Sequence, residues 1–363
     1  MTRLYIARRQ IFLVLITTGL LLSACTPPTR EESTPVTVIT GTAPSTESVW
    51  LEPFFTRPEN RPSNGYEGGP DEALAAAIDR ARLTVDVAAY SLNLWSIRDA
   101  LIHARQRGVV VRMVMESDNK DNEEVQQMLD AGIPIHGDQR EGLMHNKFIV
   151  LDRSEVWTGS MNFTLSGAYY DNNNLLRIRS TRVAETYTTK FDEMFAEDRF
   201  GPGARQPAAD PVATVDGIEM ETYFSPEDTI AAHILAIIQN ANESIYFLAY
   251  SFTADDLGAA IRQRAAEGLP VAGVMEAEQI DSNQGTEYDS FIQAGMDVRR
   301  DGNDGQMHHK VIIIDRSIVI TGSYNFTASA AEQNDENVVI ILDPAIASQY
   351  MEEFQHIFDQ AHP

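Results

Sequence analysis

A single cysteine, Cys25, stands in the 363 residues, which excludes an intrachain disulfide and any metal-holding cysteine cluster. Basic residues are also scarce: 28 Lys and Arg stand against 53 Asp and Glu, for a formal net charge of -25. The average field of such a surface repels a polyanion, so non-specific nucleic-acid binding is disfavoured and any anionic substrate needs locally placed cations. The longest apolar run, Ile11 to Leu22, has about a dozen residues, short of the roughly 20 needed to cross a bilayer. Neither an H-E-x-x-H nor a paired C-x-x-C metal signature occurs in the chain. What is present is a globular composition, 43% hydrophobic and 22% charged, in a chain long enough for two ordinary domains.

The apolar run follows Arg3, Arg8 and Arg9 and ends in Leu22-Ser23-Ala24-Cys25. A basic start, a short apolar stretch and a small-residue ending form a secretory signal. This ending resembles the bacterial lipobox, which implies cleavage before Cys25 and lipid attachment to its thiol. Residues 1–24 are therefore expected to be a lipoprotein signal peptide. Residues 25–50, rich in Thr, Pro and Ser, read as a flexible tether. Together they predict an exported protein held at the cell envelope, outside the cytoplasm.

The rest of the chain is organised around a repeat. Met144–Thr164 and Met307–Thr327 share 14 of 21 aligned residues, where unrelated segments share about one or two. Ala89-Tyr90-Ser91 returns as Ala249-Tyr250-Ser251 and Met115-Glu116 as Met275-Glu276, both at an offset of 160. Ala131-Gly132 returns as Ala294-Gly295 at an offset of 163. A period this long indicates two duplicated domains, since solenoid repeats run about 20–50 residues. The first is expected over 51–200 and the second over 217–363, joined by a Gly-, Pro- and Ala-rich linker at 201–216. Within the first, helical spacing over Asp71–Leu83, a strand at Leu83–Tyr90, a helix at Leu94–Arg107 and an apolar run at Val109–Met115 make a βαβ unit. The expected fold class is α/β: two pseudo-twofold related domains, each a mostly parallel mixed sheet flanked by helices. Two such halves supply a complete site, so a monomer suffices.

Both copies read H-x-K, four residues, D, six residues, G-S-x-N: His145, Lys147, Asp152, Gly159, Ser160, Asn162, and His308, Lys310, Asp315, Gly322, Ser323, Asn325. Residues i and i+2 of a strand face the same side, so each histidine projects with its lysine while His309 faces away. Glycine permits close backbone approach to a ligand, and Ser160, Asn162, Ser323 and Asn325 are expected to bond phosphate oxygens. Two histidines and two ammonium groups make an anion site suited to phosphodiester chemistry. Asp152 and Asp315 fit bracing roles at turns. His103, His136, His233, His356 and His362 read as surface or packing residues. Trp95, Trp157, Tyr169 and Tyr170 are candidates for lining a lipid- or base-binding mouth, with a core role for Trp157.

The doubled H-x-K-x4-D-x6-G-S-x-N pattern resembles the phospholipase D superfamily over about 310 residues. The resemblance implies a two-step mechanism through a covalent phosphohistidine that needs no metal or cofactor, with Lys147 and Lys310 neutralising the phosphate. It also implies a carboxylate about 28 residues after each motif histidine, orienting the imidazole of the opposite half. Glu336 stands at that spacing in the second half, but Asn173 in the first. Pairing across the halves makes His145, oriented by Glu336, the nucleophile and His308 the acid and base. The expected substrate is a phospholipid headgroup ester, hydrolysed or transferred; the alternative is DNA or RNA cut by an extracellular endonuclease of the same mechanism.

Overall fold

The computed structural model describes residues 50–60, 65–204 and 211–362; the expected signal peptide and nearly all of the expected tether, with Cys25, lie outside them. Seven strands belong to the first half: β1 (Leu51–Phe55), β2 (Thr84–Ala89), β3 (Val110–Met115), β4 (Ile135–Gly137), β5 (Lys147–Leu151), β6 (Glu155–Gly159) and β7 (Asn174–Ile178). They form one sheet in the order β1-β7-β6-β5-β2-β3-β4. The second half contributes β8 (Val212–Val215), β9 (Ile218–Ser225), β10 (Ile245–Ala249), β11 (Val271–Met275), β12 (Asp297–Arg300), β13 (Lys310–Ile314), β14 (Ile318–Gly322) and β15 (Glu336–Leu342). Their order is β12-β11-β10-β13-β14-β15-β9-β8, the same arrangement with one added edge strand.

The expected βαβ unit is present, with helices Pro70–Arg80 and Trp95–Gln106 flanking β2. Parallel pairing, however, is confined to β2–β3–β4 and β10–β11–β12. From the motif strand outward every pairing is antiparallel, so the sheets are mixed rather than mostly parallel. The reason is local: β5 to β6 and β13 to β14 are joined by short hairpin turns, which can link only antiparallel strands. The stretch read as a linker is partly structured too, because β8 pairs with β9.

Side-chain alternation sets the layers. Phe148 and Val150 of β5 and Val311 and Ile313 of β13 enter a core shared by both halves, together with Tyr187, Phe191, Tyr350 and Phe354 from helices Thr181–Glu197 and Pro344–Gln360. Ile149 and Leu151 face the first half's own outer core, and Ile312 and Ile314 the second's. Strands buried on both faces carry apolar residues at every position, which is why the motif strands show no polar alternation. Trp157 is fully buried in the outer core.

Candidate active site

Each motif histidine is carried in by backbone bonded to the opposite half. Met144 bridges to Asp335 and Met307 to Asn172. The His145 N–H donates to the Asp335 carbonyl at 3.0 Å, and the His308 N–H to the Asn172 carbonyl at 2.9 Å. The next residues are Glu336 and Asn173, so this pairing delivers each of them to the histidine of the other half. His145 Nδ1 lies 2.8 and 2.9 Å from the two Glu336 carboxylate oxygens. His308 Nδ1 lies 2.9 Å from Asn173 Oδ1. An acceptor at Nδ1 fixes the tautomer and leaves Nε2 with its lone pair.

The lysines lie beside them: Lys147 Nζ donates to the His145 carbonyl and Lys310 Nζ to the His308 carbonyl, each at 2.8 Å. All four side chains are buried, and burial dominates their titration. It lowers the His145 imidazole to about 4, with both lysines pushing the same way and Glu336 opposing. It lowers Lys147 to about 7 against the pull of Glu336. His308 and Lys310 are lowered well below their ordinary values, first by burial and then by the neighbouring ammonium groups. The cluster is therefore short of negative charge, and a phosphate anion would relieve it.

The remaining motif residues divide into two groups. Asp152 accepts from the backbone N–H groups of Arg82, Leu83 and Thr84, and Asp315 from those of Asn242, Glu243 and Ser244. Both aspartates take positive φ at the hairpin turn and tie it to the start of the neighbouring strand. The serines are bonded within the protein. Ser323 Oγ donates to Glu336 Oε2 at 2.6 Å and Ser160 Oγ to Asn173 Oδ1 at 2.8 Å. A hydroxyl has one proton, so each serine holds the residue that holds the opposite histidine. The motif glycines also differ from expectation: a Cβ at Gly159 or Gly322 would overlap the carbonyl oxygen of Asn174 or Asn337 on the adjoining strand, so the close approach is to that strand. Asn162 and Asn325 each keep a buried carboxamide oxygen without a hydrogen-bond partner among the described residues.

His309 does face away, with Nε2 3.2 Å from Glu353 on the helix Pro344–Gln360. Four residues escaped notice as site residues. The Tyr90 ring centre lies 4.9 Å from that of His145 and the Tyr250 ring 4.6 Å from that of His308. Glu116 accepts from the Met144 N–H at 2.9 Å and Glu276 from the Met307 N–H at 2.6 Å, so each steadies the approach to a motif histidine. Burial, reinforced by Asp301, pushes the Glu276 carboxyl up to about 7. The signal was available: these residues are the Tyr and Glu of the Ala-Tyr-Ser and Met-Glu pairs that recur at an offset of 160.

The chain belongs to the phospholipase D-like family: the description "Cardiolipin synthase, PLD-like domain" matches residues 74–195 and 234–358, one span in each half. The mitochondrial cardiolipin hydrolase of Homo sapiens is 32% identical over 136 residues, 38% of this chain and 54% of that protein. A phospholipase D of Rickettsia prowazekii (strain Madrid E) is 35% identical over 133 residues, 37% of this chain and 64% of that protein. The chain thus spans about half to two thirds of the length of the curated relatives it matches. The crystal structure of phosphatidylserine synthase from Haemophilus influenzae Rd KW20 shares the fold, with a TM-score of 0.65 over 87% of this chain and 88% of that one, at 14% identity.

Proposed function

We propose that the protein hydrolyses a phospholipid between phosphate and headgroup, or transfers the phosphatidyl group to another alcohol, through a phosphohistidine on His145. Nε2 of His145 attacks phosphorus and forms the P–N bond as the P–O bond to the headgroup breaks. His308 gives its proton to the departing oxygen. In the second step His308 takes a proton from water or an alcohol, whose oxygen attacks phosphorus and breaks the P–N bond. Lys147 and Lys310 offset the charge on the non-bridging oxygens, and their repulsion of the His308 proton weakens once the anion is bound.

The observation that carries this assignment is the unequal pairing: a carboxylate on His145 Nδ1 and a neutral amide on His308 Nδ1. A carboxylate stabilises the positive charge an imidazole acquires on phosphorylation, while an amide does not hinder release of a proton. Ser160 and Ser323 act as positioning residues, and the Nδ2 groups of Asn162 and Asn325, as donors, are the better candidates for bonding the phosphate. The net charge of -25 and relatives named for phospholipids favour lipid over nucleic acid. The basic, apolar and Leu-Ser-Ala-Cys order of residues 3–25 supports a place at a membrane face outside the cytoplasm.

The test is incubation of the full chain with phosphatidylcholine vesicles and, separately, with plasmid, both in excess chelator. Headgroup release with intact plasmid supports the proposal; nicked plasmid with intact lipid replaces it with an endonuclease. The acid-labile phosphohistidine is trapped and its position mapped, and its recovery on His308 would reverse the two histidine roles.

A further inference from the structure

Beside the site, one half carries a group of aromatic side chains that the chemistry above does not use. Trp95 is 52% exposed, Tyr66 40% and Tyr170 37%. The Tyr66 ring stands edge-on to Trp95 at 6.3 Å and to Tyr169 at 5.4 Å, and its hydroxyl lies 3.4 Å from that of Tyr170. Trp95 opens the helix that follows β2, five residues after Tyr90, whose ring touches His145. Tyr170 lies three residues before Asn173, which binds His308. The patch therefore borders the end of the molecule where both histidines sit. Tyr169 and Tyr170 also line a cavity of about 380 Å³ with Glu59, Asn303 and Asp304, and among the described residues no lysine or arginine lines it.

The fold does not require these aromatics. At the corresponding positions of the second half stand Asp255 for Trp95 (offset 160) and Glu332 and Gln333 for Tyr169 and Tyr170 (offset 163). The patch is also acidic: Trp95 Nε1 donates to Glu124 at 3.1 Å, Glu72 accepts from the Gly68 N–H, and Glu67 and Glu72 both act on the Tyr169 hydroxyl. Tyr and Trp, apolar in body and polar at the tip, favour the level of lipid headgroups. A ring face flanked by carboxylates attracts a quaternary ammonium and repels a phosphate-rich polymer.

We infer that Tyr66, Trp95 and Tyr170 form the face on which the protein rests on a zwitterionic, choline-bearing phospholipid surface, an inference that rests on the phospholipase reading above. The chain has three tryptophans, and Trp157 is fully buried, so quenching by brominated phosphatidylcholine vesicles reports on Trp95 and Trp50. With the full chain, quenching is expected, is lost for the most part in Trp95→Phe, and falls in Tyr66→Ser. Phosphatidylglycerol vesicles are expected to quench less. Undiminished quenching in Trp95→Phe, no quenching at all, or equal quenching by phosphatidylglycerol overturns the inference; so does quenching by a single-stranded oligonucleotide but not by vesicles, which marks a base-stacking platform instead. Headgroup release from a short-chain, monomeric phosphatidylcholine is measured alongside. Release without quenching removes the docking face alone, whereas quenching without release removes the phospholipase reading and leaves the docking face standing.

Discussion

Replacing Glu336 with Gln removes one negative charge and almost no volume. The carboxylate is buried and accepts from His145 Nδ1 at 2.8 and 2.9 Å, from Ser323 Oγ at 2.6 Å and from Asn334 Nδ2 at 3.3 Å. A hydrogen bond to a charged group is worth about 1.5–3 kcal/mol. In the proposed reaction this one strengthens as the imidazole becomes positive, so its loss falls on the transition state. At about 1.4 kcal/mol per decade, kcat should fall roughly 10- to 150-fold. Stability should change little, because a neutral amide escapes the desolvation cost of a buried carboxylate while losing part of its hydrogen bonding. The assay pairs headgroup release under single-turnover conditions with thermal unfolding of the same preparation. A rate within about twofold of the parent refutes the positioning argument, and so does a rate that falls only in step with the melting temperature. Asn173→Ala, which leaves no charge behind, should cost less than Glu336→Gln; the reverse order would move the nucleophile to His308.

The lysines make a pH prediction. Lys147, lowered to about 7 chiefly by burial, is protonated below that value and loses its charge as pH rises through it. The kcat/KM profile should therefore fall on the alkaline side with an apparent pKa near 7, and Lys147→Arg should displace that limb upward at a reduced maximum. Stability should fall on the acid side, because His145 takes its proton near 4 when folded and near 6.5 when unfolded: its contribution is complete above 6.5 and lost as pH drops towards 4. With two ammonium groups placed for the charge work of a metal, activity should survive excess chelator, and its disappearance would count against the mechanism. Lys190→Met leaves Glu227, Glu193 and Asp335, which lie 2.6, 3.5 and 3.6 Å from the ammonium, without their shared cation. It should cost about 3–5 kcal/mol in denaturant unfolding. Gly322→Ala forces a methyl group onto the Asn337 carbonyl and should destabilise the chain while disturbing Ser323; unchanged unfolding would show that the strand yields freely.

The motif spacing carried most of the site because strands and hairpins translate sequence separation into position. Twenty-eight residues take the chain from His308 to Glu336, through two antiparallel strands and back to the interface. The partner of Glu336, however, is His145, and only the resemblance to a known family suggested that the pairing crosses. Its physical cause, the bridges Met144 to Asp335 and Met307 to Asn172, joins residues far apart in sequence and leaves no periodic trace. The serine contacts are illegible in the sequence for a related reason: a hydroxyl suits a phosphate oxygen, a carboxylate or an amide oxygen equally, and only the fold brings Ser323 to Glu336 and Ser160 to Asn173. The mostly parallel sheet was an extrapolation from one βαβ unit, although each Asp-Arg-Ser turn already implied antiparallel neighbours.

Some of the differences between the copies fall where the halves meet. Lys190 and Glu353 occupy equivalent places, 163 residues apart, on the two helices that pack into the shared core. Lys190 bonds Glu227 of the second half and lies close to Asp335; Glu353 pairs with Arg57 of the first half at 2.5 Å and with His309. The charges are inverted, and each finds its complement across the interface. A buried charge without its partner is costly, so each half depends on the other for the complement of its buried charge. The same logic reaches the site through Asp335, which Arg140 and Lys190 hold and whose neighbour Glu336 binds His145. In the other half the corresponding residues are Asn172 and Asn173, both neutral. The charged support therefore stands behind the histidine proposed to bond phosphorus, and the uncharged one behind the histidine proposed to move a proton.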